Sequence, residues 1–308
     1  MIILNGEVMA QSSQFSLLPV EVTVATVDLG RVRSYRTNHA RNVQAAKQEE
    51  YPRVECDLTL SRPSSELFFS DGSITPAQPI KLLDPMEEIH LATSVFLWQY
   101  LVRSFSPGYF LALSGGLDSS TVALFVLGMC KLVLKSIQAG EETTLRDLRR
   151  ITAIKDFSPK SAEEIVSKLL HTCYMGTVNS GDETRSSTLF GYWFGPPANL
   201  ILGAKRLSKQ IGAYHTDLNI DKAIVAHESI IADAFDGFKA KFAVHGGTNS
   251  ENLALQNIQA RNRLVVSYEL AQLSTQARGL PRAGASLLVL GSGNVDGKLF
   301  PDSNFANY

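Results

Sequence analysis

A doubly wound parallel α/β sheet is the fold class that this sequence predicts. Three observations predict it. An apolar run, Tyr109-Phe110-Leu111-Ala112-Leu113, passes through a glycine turn into a helix-like segment, Thr121 to Ile137. Further strand-like runs at 168–175, 213–218 and 286–290 alternate with helix-like stretches at 204–211 and about 250–276. Such alternation puts helices on the faces of a mostly parallel sheet. Ligands bind these sheets at the carboxyl ends of the strands, which is where Ser114-Gly115-Gly116-Leu117-Asp118-Ser119-Ser120 falls.

The elements follow in order. Residues 1 to 36 alternate apolar and polar positions, as at Val20, Val22, Val24 and then Thr26, which predicts short antiparallel strands. Residues 37 to 83 read as a polar link containing Pro52, Pro63, Pro76 and Pro79. Asp84-Pro85-Met86-Glu87 predicts a helix start: a capping carboxylate, proline at the first helical position, and glutamate three residues after the cap. That helix runs towards Ser104 with Ile89, Ala92, Phe96 and Tyr100 on its apolar face. Gly212 closes the helix at 204–211, and Thr248 with Glu251 opens the long one.

At 308 residues the chain can bury a sizeable core, and its length suggests about two domains. A net charge of −1 gives no bulk attraction to nucleic acid or to an anionic membrane. No run approaches the roughly 18 apolar residues of a membrane span, and the start lacks the basic n-region of a signal peptide. Cys56, Cys130 and Cys173 form no Cys-x-x-Cys pair, as in a reducing compartment. The expectation is a cytoplasmic protein whose partners are small molecules.

The loop at 114–120 is built to hold an anion. Two glycines let the backbone approach a ligand closely, and the helix that follows offers unpaired N–H groups and the positive end of its dipole. Serine hydroxyls and Asp118 add donors and a possible Mg2+ ligand. A Walker loop would require lysine before the final Ser or Thr, and none is present. Ala112-Leu113-Ser114-Gly115-Gly116 imitates a serine-hydrolase elbow, with His245-Gly246-Gly247 as an oxyanion-hole mimic. That oxyanion segment precedes the nucleophile in hydrolases, whereas here it follows by more than a hundred residues.

The loop resembles the Ser-Gly-Gly-x-Asp-Ser signature of the PP-loop ATP pyrophosphatases, which asparagine, GMP and NAD synthetases share. Downstream, Ser250-Glu251-Asn252-Leu253-Ala254-Leu255-Gln256-Asn257-Ile258-Gln259-Ala260-Arg261-Asn262-Arg263 resembles the Glu-Asn-x-x-x-Gln-Asn-x-Gln-Ala-Arg helix of the glutamine-dependent NAD synthetases. Val289-Leu290-Gly291-Ser292-Gly293-Asn294-Val295-Asp296 resembles their Gly-Ser/Thr-x-Asn strand end, and Asn219-Ile220-Asp221 also looks like the family. Near the start, Ile3-Leu4-Asn5-Gly6-Glu7, Ser13-Gln14-Phe15-Ser16-Leu17, Val24-Ala25-Thr26-Val27-Asp28-Leu29 and Val32-Arg33-Ser34-Tyr35-Arg36 resemble the last strands of a nitrilase-type amidase domain.

The resemblance implies an adenine nucleotide alpha-hydrolase-like PP-loop fold at 84–296, preceded at 1–36 by the end of a nitrilase-like α/β sandwich. It implies ATP-dependent amidation of deamido-NAD through an acyl-adenylate, with glutamine or ammonia as nitrogen donor and homo-oligomeric assembly. ATP and Mg2+ are the implied cofactors. Ser114, Gly115, Gly116, Leu117, Ser119 and Ser120 would hold phosphates, with Ser292 contacting ATP and Asp118 ligating Mg2+. Asn257 would contact deamido-NAD, with Arg261 supporting it. Plainer readings stand beside these: a helix cap for Asp118, a turn serine for Ser292, a solvated face or dimer contact for Asn257 and Arg261.

Two stretches depart from the family. Residues 187 to 203 insert Phe190, Tyr192, Trp193 and Phe194 beside Pro196-Pro197 where the family has a polar loop. At the end, Gly297 stands where the family places its second Mg2+ carboxylate, and residues 297–308 follow no family pattern. Both stretches read as translated introns or gene-model errors, with a real lineage-specific lid loop at 187–203 as the plainer alternative. The amidase Glu, Lys and Cys have no counterpart here, so impaired synthesis and no glutamine hydrolysis are expected. A non-catalytic nucleotide-binding fragment and another PP-loop amidotransferase, such as asparagine synthetase, are the alternatives.

Overall fold

A computed structural model describes residues 1–37, 46–49, 52, 54–57, 73–178, 189–190, 200–201 and 203–293. The expectations for Asn294 onward, including Gly297 and the tail, lie outside the described residues, as do those for most of the link and most of the 187–203 insertion. The chain divides into two compact units, Met1–Asp84 and Pro85–Tyr308.

The first unit holds a hairpin of β1 (Ile2–Leu4) and β2 (Glu7–Ala10), turned at Asn5-Gly6, both with positive φ. Val8 and Met9 are buried, and Gln78 bridges back to Val8. The strands expected over 20–26 do not form. Val20, Val22 and Val24 are 73%, 79% and 77% exposed, and no strand or opposing layer among the described residues covers them. Residues 29–37 form helix α1 (Leu29–Thr37) instead of a strand. Asp28 Oδ1 accepts from Gly30 N at 2.7 Å, a local turn that favours helix initiation over extension.

The second unit carries the predicted sheet. It opens with α2 (Pro85–Ser104), followed by β3 (Tyr109–Ala112), α3 (Leu117–Gln138), α4 (Glu142–Thr152), α5 (Ala162–Leu169) and β4 (Leu170–Gly176). A short antiparallel pair, β5 (Leu189–Phe190) and β6 (Leu200–Ile201), precedes α6 (Ala204–Ile211) and β7 (Tyr214–Asn219). The chain ends its described part with α7 (Asp221–Ala234), α8 (Asn249–Ala277) and β8 (Leu288–Leu290). Four strands are parallel in the order β7-β4-β3-β8.

Both faces of the sheet are covered. On one, Phe110, Cys173, Met175 and Val289 pack against Ile224 of α7 and Ile258, Val266, Leu270 and Ala271 of α8. On the other, Tyr109 is 1% exposed and donates its hydroxyl to Leu97 O of α2 at 2.6 Å. Consecutive β3 residues therefore serve opposite layers, which is why the run reads as continuously apolar.

Two local signals that the sequence carries explain helices not assigned from it. Ser161 caps α5 by accepting from Glu164 N at 3.3 Å, a Ser-x-x-Glu start. α4 buries Thr144, Leu148, Ile151 and Thr152 on one stripe and ends at Ala153, whose φ of 54° is left-handed. α2 corrects the expectation about its face. It buries Ser94, Leu97, Trp98 and Leu101, while Ile89, Phe96 and Tyr100 are 46%, 63% and 51% exposed. α2 is apolar on two sides, and packing on α3 selects the one that contains Trp98.

At the amino edge of the sheet, His171 of β4 is 1% exposed and meets Arg278 Nη1 at 2.8 Å from Nε2. The Arg278 guanidinium lies 3.6 Å over the Tyr214 ring. Burial first, and then the Arg278 charge, push the His171 pKa down to about 3, so the ring is neutral and accepts from Arg278. His171 and His215 lie on strand-like runs of the sequence and fall in β4 and β7.

Two outcomes are expected. Between pH 6.5 and about 3 the unfolded chain binds a proton at His171 that the folded chain refuses, so stability falls as pH drops through that window. Melting temperatures across it should fall less steeply in His171→Gln, whose amide oxygen still accepts from Arg278. Gly108→Ala should destabilise the fold by about 1–3 kcal/mol in urea unfolding. Its new Cβ would lie 2.4 Å from the Leu169 carbonyl oxygen, a backbone atom that cannot rotate away.

Candidate functional site

The loop after β3 is placed by pairing. Leu113 N donates to Cys173 O at 2.9 Å, extending the ladder one residue beyond β3. The chain leaves the sheet at Ser114, and Gly115 turns it with φ +85°, a conformation open to glycine at little cost. Gly116 is the N-cap of α3, extended at φ −74° and ψ 170°, with no side-chain cap hydrogen bond. The first N–H groups of α3 therefore stay available to an anion, with the helix dipole behind them.

The serines close on one another. Gly116 N donates to Ser114 Oγ at 3.3 Å, Ser114 Oγ and Ser119 Oγ lie 3.1 Å apart, and Ser119 Oγ donates to Gly116 O at 3.3 Å. One proton assignment uses each hydroxyl hydrogen once: Ser114 donates to Ser119. Ser119 and Ser120 are 3% and 1% exposed, and Ser120 Oγ has no hydrogen-bond partner among the described residues. A buried hydroxyl of that kind is costly unless something accepts from it. Leu117 and Asp118 are exposed in the first turn of α3, where a carboxylate is favoured by the dipole. Among the described residues no three His, Cys, Asp or Glu groups gather as a metal site. Asp118 is thus a single carboxylate, which suits Mg2+ held mainly by phosphate and water oxygens.

β8 lies beside β3 with Leu290 opposite Leu111. Ser292 and Ser114 consequently leave the sheet at neighbouring strand ends. The chain builds outward from β3 through β4 to β7 and then returns to the other side of β3 at β8. That reversal is a topological switch point, the place where open α/β sheets form a ligand crevice.

α8 is 29 residues long, roughly 43 Å at 1.5 Å per residue. Near its end, Ala271 O accepts from Leu287 N, and Thr275 Oγ1 donates to Ala285 O at 2.7 Å. Farther up, Arg263 Nε donates at 3.2 Å to the carbonyl of Met175, the penultimate residue of β4. Residues before Arg263 therefore rise past the carboxyl edge of the sheet, the edge that bears the serine loop. Asn257, half-buried, and Arg261, exposed, lie one turn apart on that rising part. Among the described residues neither is hydrogen-bonded to the loop.

The start of α8 is strongly fixed. Thr248 and Glu251 form a reciprocal capping box, and Asn252 Oδ1 accepts from Ala243 N at 3.1 Å. The Thr248 donors hold the Glu251 carboxyl below its usual range. His245-Gly246-Gly247 belongs to the turn that feeds this cap: Gly247 N donates to Phe242 O at 3.1 Å. It is no oxyanion hole for Ser114, whose hydroxyl contacts among the described residues are Ser119 and Gly116.

Some residues acquire roles that their sequence context did not reveal. Asp221 accepts from Val178 N through both oxygens, at 3.0 and 3.1 Å, and from Asn219 Nδ2 at 2.8 Å. Asn219-Ile220-Asp221 thus clips the exit of β4 to the start of α7. An Asx residue two positions before an Asp at a strand end is the signal for it. Arg263 lay inside a noticed motif without an assigned role. Burial pushes the Cys130 and Cys173 thiols up, in keeping with apolar filling, and Cys56 is exposed.

No family model matches the chain. The glutamine-dependent NAD(+) synthetase of Drosophila melanogaster is 42% identical over 299 residues, covering 97% of this chain and 35% of the fly protein. The Saccharomyces cerevisiae protein of the same description is 42% identical over 301 residues, covering 96% of this chain and 39% of its own. A crystal structure of a glutamine-dependent NAD(+) synthetase from Cytophaga hutchinsonii superposes with a TM-score of 0.52 at 27% identity. That match covers 70% of this chain and 32% of the other. The chain thus spans little more than a third of the length of these curated relatives. On sequence and fold together, the chain is similar over nearly all of its length to part of the glutamine-dependent NAD(+) synthetases.

Proposed function

We propose that this chain forms the ATP-binding part of a ligase that amidates deamido-NAD. The observation that carries the reading is the uncapped start of α3, framed by Ser114, Ser119 and the unpartnered Ser120 at the switch point between β3 and β8. The family relationship supplies the substrate class.

In the proposed reaction a nicotinate carboxylate oxygen attacks the α-phosphorus of ATP. The bond to the β-phosphate breaks, giving an acyl-adenylate and pyrophosphate. Ammonia, supplied directly or released from glutamine, then adds to the acyl carbon; AMP leaves and a proton is lost. The chain's part is to stabilise the charge that gathers on the leaving pyrophosphate. Backbone N–H groups of Gly115, Leu117 and Asp118 and the unpartnered hydroxyl of Ser120 can do so without reorganising at the moment of reaction, with Ser119 able to join them by releasing Gly116 O. Mg2+, which fits Asp118 as one of few protein ligands, would supply further neutralisation of phosphate charge. Ser292, two residues past the end of β8, would contact ATP in the same crevice. Asn257 and Arg261 would hold the dinucleotide on the rising part of α8, and a homo-oligomer is part of the reading.

Pyrophosphate release from ATP with deamido-NAD, ammonia and Mg2+ is the test. Release by the 308-residue chain should drop at least about a hundredfold in Asp118→Ala, several kcal/mol of charge stabilisation being lost. ATP binding without release in well-folded protein would favour a non-catalytic nucleotide-binding role. A fluorophosphonate probe should leave Ser114 unlabelled, because no general base contacts its hydroxyl among the described residues; labelling would restore the hydrolase reading.

A further inference from the structure

The helix proposed to carry deamido-NAD and the loop proposed to carry ATP belong to different parts of the sheet. The loop leaves β3, whereas α8 crosses the face and rises beyond the carboxyl edge. Their separation is set by whatever fixes the height of α8 along the strands. Apolar packing of Ile258, Val266 and Leu270 holds the helix against the sheet. Such packing is non-directional and resists lifting more than sliding. The bonds at Ala271 and Thr275 act at the far, amino edge.

Arg263 is the directional contact at the edge where chemistry is proposed. Its Nε donates to Met175 O, one residue before the end of β4, and β4 is hydrogen-bonded to β3 from Leu170–Tyr109 to Cys173–Ala112. The path from Arg261 to Ser114 therefore runs through two residues of helix, one charge-assisted bond and two paired strands. No loop intervenes on it.

We propose that Arg263 is a positioning residue for the amidation, setting the height of Asn257 and Arg261 against the serine loop. The inference rests on the reaction proposed above. A misplacement of about 1 Å between reacting groups can cost roughly a hundredfold in rate, and loss of the anchor leaves the carboxyl-edge part of α8 held only by apolar packing and by the distant bonds at Ala271 and Thr275.

The test compares Arg263→Met, which keeps the apolar stem, with Arg263→Lys, whose ammonium can reach the same carbonyl. Steady-state NAD formation from ATP, deamido-NAD and ammonia is measured with the 308-residue chain, alongside thermal unfolding. Arg263→Met should lower kcat about ten- to a hundredfold while KM for ATP stays within twofold, and Arg263→Lys should recover most of kcat. A kcat within twofold of wild type in folded Arg263→Met overturns the role of Arg263 and leaves the amidation reading intact. So does a loss that tracks melting temperature and that lysine fails to repair. Should wild type form no NAD, calorimetric binding of deamido-NAD with and without a non-hydrolysable ATP analogue decides the matter. Cooperative binding that Arg263→Met abolishes keeps the positioning role while the amidation reading falls; absence of cooperativity overturns both.

Discussion

Everything in the second unit depends on β3 being hydrogen-bonded on both sides. A strand in that position must be apolar on both faces, and Tyr109, Phe110, Leu111 and Leu113 meet the demand with near-complete burial. Its pairing with β4 continues to Leu113, so the chain cannot turn before Ser114. The turn then has to be tight, which Gly115 permits, and α3 starts at once with its first N–H groups facing outward. The proposed anion cradle is a consequence of where β3 stops.

The two ends of the sheet divide the work. At the amino edge, Arg278, His171 and Tyr214 are packed together with the ring neutral and the cation stacked. That arrangement offers no free donor set and reads as stability. At the carboxyl edge, in the serine loop, Ser114 and Ser119 satisfy each other, while Ser120 Oγ has no protein partner among the described residues. Groups left in that condition are tolerated where a ligand completes them. Between the edges α8 spans the whole face, so one helix links the stabilising end to the end that is proposed to bind substrate.

Apolar surface remains in view on α2 and α8. Phe96 and Tyr100 stack on each other at 5.8 Å while both stay exposed, and Leu264, Val265 and Tyr268 are exposed on α8. Helices with apolar residues on more than one side do not announce which side enters the core. The Ile89–Phe96–Tyr100 stripe was as good a candidate as the Leu97–Trp98–Leu101 one until α3 and the sheet were in place.

The sequence by itself determined the elements whose signals are local. The serine loop, the capping box at Thr248 and Glu251, the stop at Gly212 and the buried run of β3 are all set by side chains within a few residues of one another. Family likeness added the expectation that Asn257 and Arg261 hold a dinucleotide. Tertiary structure alone decided what depends on partners distant in sequence. It left Val20, Val22 and Val24 without a sheet despite their alternation, and turned residues 29–37 into a helix. It also placed β8 beside β3, which brings Ser292 to the serine loop, and set Arg263 against Met175, 88 residues away. Periodicity reports that a face is apolar; only the competition among all such faces for a limited core decides which is covered.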